Sequence, residues 1–316
     1  MFLEGVKKHM ISNQTQRVPD LLIITGSSQS GKNSLRAYLN NTLDHLTYLI
    51  RSTKTIQNPD KVFIDPEKEV RDFNLVSKQK FNELKKLSEI EADHPLAFAA
   101  NHDTYDGVSY GITNQSLEDA SKSGKNLAIA FVDPVNLDKV RKTYEQYGGK
   151  VHTALLKATA TNNSNHNSLL KLTNKVKLDT NPKEGIENIN LTELDVAAED
   201  RAIKSRMRAR GISEKDINAR IKYFTEPEQK AINHELNKRG IDFIIQNLGH
   251  NKSDEEYGVA NTMQQVDKLI KLLLTREDSL RKEENSNYSP ENPRNWDKAW
   301  NKYTLASKKY TLPSKN

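Results

Sequence analysis

The sequence contains no cysteine, and no apolar run approaches the roughly 18 residues that a membrane-spanning helix requires. Disulfide bonds and thiolate-bound metals are therefore excluded, which fits a reducing compartment. The N-terminal residues also lack the long apolar core of a secretory signal. We therefore expect a soluble, cytoplasmic protein that has no membrane partner.

Apolar residues are also few, at 35% of 316 residues, whereas 28% of the residues are charged and the net charge is +6. This composition predicts a folded core together with considerable polar loop or tail. The positive charge suits partners that carry phosphate, although it is also common in soluble proteins that bind no nucleic acid.

The polar tail at 276–316 carries two Trp and three Tyr among its lysines, and such rings can stack on bases. A segment of this kind more often packs on its own domain, so we do not expect nucleic acid as a partner. A protein partner that binds this tail or the insertion described below stays an option.

The histidines show no spacing that would allow them to ligate one metal ion. We therefore predict no zinc site and expect these side chains at the surface or in loops. The histidines considered are His94, His102, His152, His166, His234 and His250.

Strand-like and helical segments alternate along the chain, which predicts a three-layer α/β domain with a largely parallel sheet. The predicted strands are 21–25, 47–50, 96–100, 126–132, 150–158 and 240–247. The predicted helices are one that carries Leu35, Leu39, Leu43 and Leu46, then 77–92, 114–124, 135–146, 193–239 and 259–275.

Four segments interrupt or flank this alternation. Residues 1–19 read as an N-terminal lead-in, and residues 51–72 are polar enough to predict loop or edge structure. Residues 159–192 are rich in Asn, Thr and Lys, which predicts an inserted loop. The tail at 276–316 follows the last predicted helix.

The segment GSSQSGKN at 26–33 matches the pattern G-x-x-x-x-G-K between an apolar strand and an amphipathic helix. In this context the backbone N–H groups can wrap a phosphate while Lys32 reaches the outer phosphates of ATP. Asn33 stands where a Mg²⁺-binding Ser or Thr is expected, and its amide oxygen is a weaker ligand. The candidate residues for ATP are Gly26, Ser28, Ser30, Gly31, Lys32, Asn33 and Ser34, with Asn33 as the candidate Mg²⁺ ligand.

From this loop onward, the order of motifs over 20–275 resembles that of the guanylate kinases, which move a phosphoryl group from ATP to a nucleoside monophosphate. The resemblance implies a P-loop kinase fold with an acceptor-binding subdomain at about 51–113 and a lid at about 200–225. RMRARGISEKDINAR at 206–220 is similar to the lid of that family. The resemblance implies that Lys32, Arg206, Arg210 and Arg220 are catalytic and that Asn247 lies beside the donor base.

The acceptor side resembles the family in RSTKT (51–55), FNLVSKQKF (73–81), GVSYGI (107–112) and FVDPVNLDKVRK (131–142). The residues that this resemblance assigns to acceptor binding are Ser52, Lys54, Phe73, Asn101, Tyr110 and Asp133, with Asp103 and Asp106 close by. Several family features are replaced on this side, namely an Arg by Lys54, a second Arg by Gln57, a Tyr by Phe73, a base-reading hydroxyl by Ile112 and an acidic residue by Phe131. A guanine site that loses such partners loses affinity strongly, so we predict that GMP is a poor substrate.

Three functions are compatible with the sequence. The first is an ATP-dependent kinase that acts on GMP or another small phosphate-bearing acceptor. The second is a guanylate-kinase-like module that has lost catalysis and binds nucleotide or a protein partner. The third is a related kinase that acts on a sugar or nucleotide-sugar, which would explain the altered acceptor side equally well.

Overall fold

The computed structural model describes residues 17–28, 30–42, 47–56, 72–104, 107–158, 169–172, 186–189, 196–209, 211–222, 226–238, 240–247 and 261–275. Its strands are β1 (Asp20–Thr25), β2 (Thr47–Leu49), β3 (Ser52–Thr55), β4 (Phe73–Val76), β5 (Phe98–Asp103), β6 (Ser109–Thr113), β7 (Leu127–Phe131), β8 (Val151–Ala158), β9 (Leu169–Leu172), β10 (Ile186–Ile189) and β11 (Phe243–Asn247). Its helices are α1 (Lys32–Thr42), α2 (Lys78–Ile90), α3 (Asn114–Ser121), α4 (Leu137–Glu145), α5 (Val196–Ala209), α6 (Glu214–Arg220), α7 (Glu226–Asn237) and α8 (261–275).

The main sheet has seven strands in the order β10-β9-β11-β8-β1-β7-β2. The five strands from β11 to β2 are parallel to one another, whereas β9 is antiparallel to β11. Strand β1 lies inside this sheet, and its apolar residues are completely buried. A strand that is covered on both faces needs such a continuous apolar run, which is why the sequence predicted β1 correctly.

Helices cover both faces of the main sheet. Leu22 and Ile24 of β1 belong to a cluster with α1 and α8, which includes Leu35 and Leu39. The alternate residues of β1 belong to a second cluster with α3 and α4. The predicted α/β class with a mostly parallel sheet is therefore confirmed, whereas Leu43 and Leu46 lie outside the described residues.

A second sheet of four strands has the order β4-β3-β6-β5. The prediction of loop or edge structure over 51–72 is wrong for 52–55, because β3 pairs with β4 on one side and β6 on the other. Its four residues are polar and yet buried, so no apolar pattern in the sequence indicated a strand. The predicted strand at 96–100 forms as β5, but it belongs to this second sheet and extends to Asp103.

The predicted inserted loop at 159–192 contains two strands, which corrects that prediction for 169–172 and 186–189. Strand β9 pairs with the outer side of β11, and β10 pairs with β9, so the segment widens the main sheet. Its Asn-rich composition concealed these short runs, and the rest of the segment lies outside the described residues. The lead-in up to residue 16 and the tail at 276–316 lie outside them as well.

The order of the parallel strands determines which loops meet. Strands β1 and β7 are neighbours, so the loop after β1 and Asp133 after β7 lie at the same edge of the sheet. Crevices at the carboxyl ends of parallel strands are where open α/β sheets bind ligands. Within the part of the chain that is described, no helix is long and apolar enough to cross a membrane.

Candidate functional site

The loop after β1 turns tightly into α1, and both of its glycines are required by the space available. A Cβ atom on Gly26 would overlap with the carbonyl oxygen of Leu156 on β8. Gly31 has a φ of +107°, and a Cβ atom there would overlap with the amide nitrogen of Asn247. Helix α1 begins at the next residue, Lys32, so its N-terminus faces the cavity beside the loop.

Lys32 folds back over this loop. Its ammonium group donates to the carbonyl oxygens of Gly26 and Ser27, the latter at 3.2 Å. The same Nζ lies 3.4 Å from Oδ1 of Asp133, which the end of β7 presents from the neighbouring strand. A cation and a carboxylate from two adjacent strand ends therefore meet above the loop.

Asp133 has a second partner, because its Oδ2 lies 2.7 Å from Nε2 of His102. Burial opposes the ionisation of this carboxyl group, but the charges and hydrogen bonds of Lys32 and His102 outweigh burial. They hold the pKa of Asp133 well below its usual range. Asp133 is therefore a carboxylate at neutral pH, and it orients both Lys32 and His102.

Two histidines correct the expectation that these side chains lie at the surface or in loops. His102 lies on β5, partly buried, with its ring stacked on that of Tyr110 at a centroid distance of 5.3 Å. His152 is buried on β8, where Nε2 lies 2.9 Å from Oδ2 of Asp20. One signal for His102 was present in the sequence, since its neighbours Asn101 and Asp103 were already acceptor-side candidates.

Two serine hydroxyls of the loop are buried and have no hydrogen-bond partner among the described residues. They belong to Ser27 and Ser30, and both side chains line the cavity. Buried polar atoms in native proteins are almost always paired, so such atoms beside a cavity indicate a place for a polar ligand.

The cavity beside the loop has a volume of about 310 Å³ and lies between the main sheet and the second sheet. Its lining combines the loop and the start of α1 with residues of β3, β4, β6 and the end of β7. Of the predicted site residues, it contains Ser28, Ser30, Gly31, Lys32, Asn33, Ser34, Ser52, Phe73, Tyr110, Asp133 and Arg220.

Two of the three predicted lid arginines, Arg206 and Arg220, lie within the described residues, and they occupy different positions near the loop. Arg206 on α5 donates to the carbonyl oxygen of Asn247 at 2.7 Å and to that of Ser30 at 3.4 Å. Arg220 ends α6 and lines the cavity. The third, Arg210, lies outside the described residues.

Asn247 lies at the end of β11 and contacts the loop directly. Its amide nitrogen donates to the carbonyl oxygen of Ser30 at 2.7 Å, and the side chain is buried. In this arrangement Asn247 holds the loop in position, and its predicted place beside the donor base stays a prediction.

The acceptor-side candidates separate into two groups. Ser52, Phe73 and Tyr110 line the cavity. Lys54 is buried beside them, with Nζ 5.1 Å from the centroid of the Phe73 ring, but it is not in the described lining.

Asn101 contributes its backbone carbonyl to a hydrogen bond from Asn136 at 3.2 Å and is not in the described lining either. Asp103 is exposed and lies within 3.5 Å of Lys78 and 3.4 Å of Lys85 at the surface. A hydrogen bond from Ser109, followed by the charges of these lysines, lowers its pKa despite partial desolvation. Asp106 and Gln57 lie outside the described residues.

Glu228 contacts the loop from α7 and was not predicted from any motif. One of its carboxylate oxygens accepts from the backbone N–H of Ser28 at 2.7 Å, and the other accepts from the Ser28 hydroxyl at 2.9 Å. Burial raises the pKa of Glu228, although Lys32 opposes this effect. A predicted phosphate-binding amide is thus already bonded to an acidic side chain.

A metal site cannot be assembled from acidic side chains and histidines here, since the described residues contain no group of three or more that could hold a metal ion. Asn33 is exposed and lines the cavity. Its suitability as a Mg²⁺ ligand therefore depends on oxygen atoms that the nucleotide supplies.

Comparisons with known proteins add no family assignment. No family model matches the chain, and no curated protein sequence is significantly similar to it. The resemblance to guanylate kinases therefore rests on the motifs quoted from this sequence.

Proposed function

We propose that the protein is an ATP-dependent phosphotransferase of the guanylate kinase type, acting on a small acceptor that carries a phosphate group. The observation that carries this proposal is the pairing of Lys32 with Asp133 above a loop whose Ser27 and Ser30 hydroxyls are buried and lack described partners. The parallel order of β1 and β7 brings these groups to the edge where such sheets bind ligands.

The donor phosphates have suitable partners in this loop. A phosphate oxygen accepts a stronger, charge-assisted hydrogen bond from Lys32 than a neutral carbonyl does. The N-terminus of α1 adds backbone N–H groups and a favourable dipole for an anion. Asn33 would hold Mg²⁺, which, when bound, neutralises charge on the phosphates.

The reaction transfers the terminal phosphoryl group to an oxygen of the acceptor phosphate. The new P–O bond forms as the bond between the β–γ bridging oxygen and the γ-phosphorus breaks, which leaves ADP and a diphosphate product. This chemistry needs positioning and positive charge rather than covalent participation of the protein. Lys32 and Arg220 both line the cavity and supply that charge. Arg206 is not in the described lining and contacts the loop through the carbonyl oxygen of Ser30.

The acceptor lies on the side of the second sheet. Ser52 and Tyr110 offer hydroxyl groups there, while His102 stacks on Tyr110 and contacts Asp133. Phe73, Phe131 and Ile112 make the same wall more apolar than a guanine-reading site would be. These features favour a phosphate-bearing acceptor other than GMP.

One observation favours the alternative of a module with impaired catalysis. The carboxylate of Glu228 is bonded to Ser28 in the loop and repels phosphate, so it must move or become protonated before the nucleotide binds as proposed. Such a module would bind nucleotide weakly and would turn over none of it.

The test is a thermal-shift screen with ATP, GTP, GMP and dGMP, each with and without Mg²⁺, followed by an assay for ADP release with a panel of phosphate monoesters. We expect ATP to raise the melting temperature and at least one monoester to stimulate ADP release. Stabilisation by ATP without ADP release for any monoester supports the impaired module. No stabilisation by either ATP or GTP contradicts both readings.

A further inference from the structure

A buried arginine on α1 occupies the acceptor side of the cavity, and the motif analysis did not single it out. Arg36 is only 5% exposed, yet it lines the cavity. It follows Lys32 by four residues, so the two cations lie on the same face of α1, about 6 Å apart along its axis. Lys32 has Asp133 as its ion-pair partner.

Arg36 has no such ion pair in the described part of the chain. Its guanidinium donates to the backbone carbonyl of Asp72 at 3.2 Å and to the hydroxyl of Ser52 at 3.4 Å. Nε is buried and lacks a described hydrogen-bond partner. Among the described residues this cation therefore has only neutral hydrogen-bond acceptors, and Nε has none.

Two aromatic rings hold the guanidinium in place. Its central carbon lies 4.5 Å from the centroid of Phe73 and 4.9 Å from that of Phe131. Burial lowers the pKa of Arg36 to about 10, although the charges of Asp72, Tyr110 and Asp133 oppose this effect. Arg36 is therefore a firmly held cation at neutral pH. No carboxylate of the described residues forms a direct ion pair with it, so the charges of Asp72 and Asp133 compensate for its burial only in part.

We propose that Arg36 binds the phosphate group of the acceptor, with the Ser52 hydroxyl as a second donor. The planar guanidinium can give two parallel hydrogen bonds to a phosphate, which a lysine cannot do. Lys54, whose Nζ lies against the Phe73 and Tyr110 rings, adds charge close by. Phe73 and Phe131, at positions where the family resemblance implies polar groups, form the slot that orients Arg36.

The substrate class follows from this pair of anion sites, and the inference rests on the proposed function. Lys32 serves the donor phosphates at the start of α1, and Arg36 serves a phosphate monoester one helical turn further along. An acceptor without its own phosphate makes no ion pair with the buried Arg36, so it binds much more weakly.

The experiment separates the two sites. The full chain, saturated with ADP to fill the loop, is titrated with inorganic phosphate and, at the same ionic strength, with acetate, while the melting temperature is followed. We expect phosphate to stabilise the protein and acetate to have little effect. In Arg36→Met the apparent affinity for phosphate should fall at least about tenfold, because a charge-assisted bidentate contact is lost.

Arg36→Lys and Lys85→Met complete the comparison. Arg36→Lys retains the charge without the planar guanidinium, so its affinity for phosphate should lie between those of wild type and Arg36→Met. It decides the question if the methionine variant does not fold. Lys85→Met removes an exposed lysine that contacts Asp103, and it should behave as wild type.

Two outcomes would overturn the proposal. In the first, the Arg36 variants have a lower melting temperature than wild type but are stabilised by phosphate as much as wild type is. Arg36 would then have a purely structural role. In the second, acetate stabilises the protein as much as phosphate does.

The stabilisation by ATP should persist in Arg36→Met. If ATP does not raise the melting temperature of wild type, that result contradicts the proposed function but not the role of Arg36. In that case the phosphate titration is repeated without ADP in the Lys32→Met background, and it still tests Arg36.

Discussion

Replacing Asp267 by Asn should change how the stability of the fold depends on pH. Asp267 lies on α8, and its Oδ2 accepts a hydrogen bond from the Tyr38 hydroxyl of α1 at 2.8 Å. Its Oδ1 is buried without a hydrogen-bond partner in the described part of the chain. Burial raises the pKa of Asp267 to about 6, although the bond from Tyr38 opposes this effect.

The sign follows from proton linkage. The folded protein binds this proton more tightly than the unfolded chain, so the contribution of Asp267 to stability is complete below about pH 4. It is lost as pH rises through about 6. A difference of roughly two pKa units corresponds to about 3 kcal/mol, and Asp267→Asn abolishes this dependence because an amide does not titrate.

The assay is urea denaturation of wild type and Asp267→Asn at several pH values between 4 and 7. Between pH 4 and 7 the difference in unfolding free energy between the two proteins should shift by roughly 2.4 kcal/mol in favour of the variant, because the unfolded carboxyl group is already partly ionised at pH 4. Because both proteins share all other titrating groups, the contributions of those groups to the pH dependence cancel in this difference. A cost of the amide that does not depend on pH adds only a constant. Asp119→Asn, at an exposed position on α3, is the control. A difference that stays constant with pH would refute the reasoning.

Three further predictions concern the site. Glu228→Gln should tighten ATP binding about tenfold, or roughly 1.4 kcal/mol, because it removes a negative charge bonded to Ser28 in the loop; calorimetry checks this, and unchanged affinity would contradict it. Asn33→Ser should strengthen Mg²⁺-dependent ATP binding, and a variant no better at any Mg²⁺ concentration would show that Asn33 is not limiting. GMP should be a poor substrate, with kcat/KM below about 10⁴ M⁻¹s⁻¹, because each lost hydrogen bond to a charged group costs roughly 1.5–3 kcal/mol; a higher value in a steady-state assay would restore a guanylate kinase.

The elements that were easiest to predict from the sequence are buried strands that contain a continuous run of apolar residues. Strands β1, β7 and β11 each contain such a run and lie in the parallel part of the main sheet, whereas β8 (VHTALLKA) mixes apolar residues with buried polar ones. The loop after β1 was predictable because its glycines occur at a fixed spacing. Strand β3 could not be found in this way, since STKT is polar and is buried only because β4 and β6 flank it.

The candidate site was only partly predictable. Lys32 and Asp133 were assigned from motifs, and the structure brings them within 3.4 Å. His102, Glu228 and Arg36 depend on contacts between residues far apart in the chain, and Glu228 is 200 residues from Ser28. No local pattern specifies such contacts, because each of these residue types is also common at the surface.

The most direct test of the central claim is a calorimetric titration of Mg²⁺-ATP into wild type, Lys32→Ala and Lys80→Ala. Lys80 is an exposed lysine on α2 that contacts Glu83, and it serves as the control for loss of a positive charge. We predict that wild type and Lys80→Ala bind ATP alike, whereas Lys32→Ala binds at least about tenfold more weakly because it loses a charge-assisted contact. Undiminished ATP binding by Lys32→Ala, or no binding by wild type, would contradict the assignment of the loop.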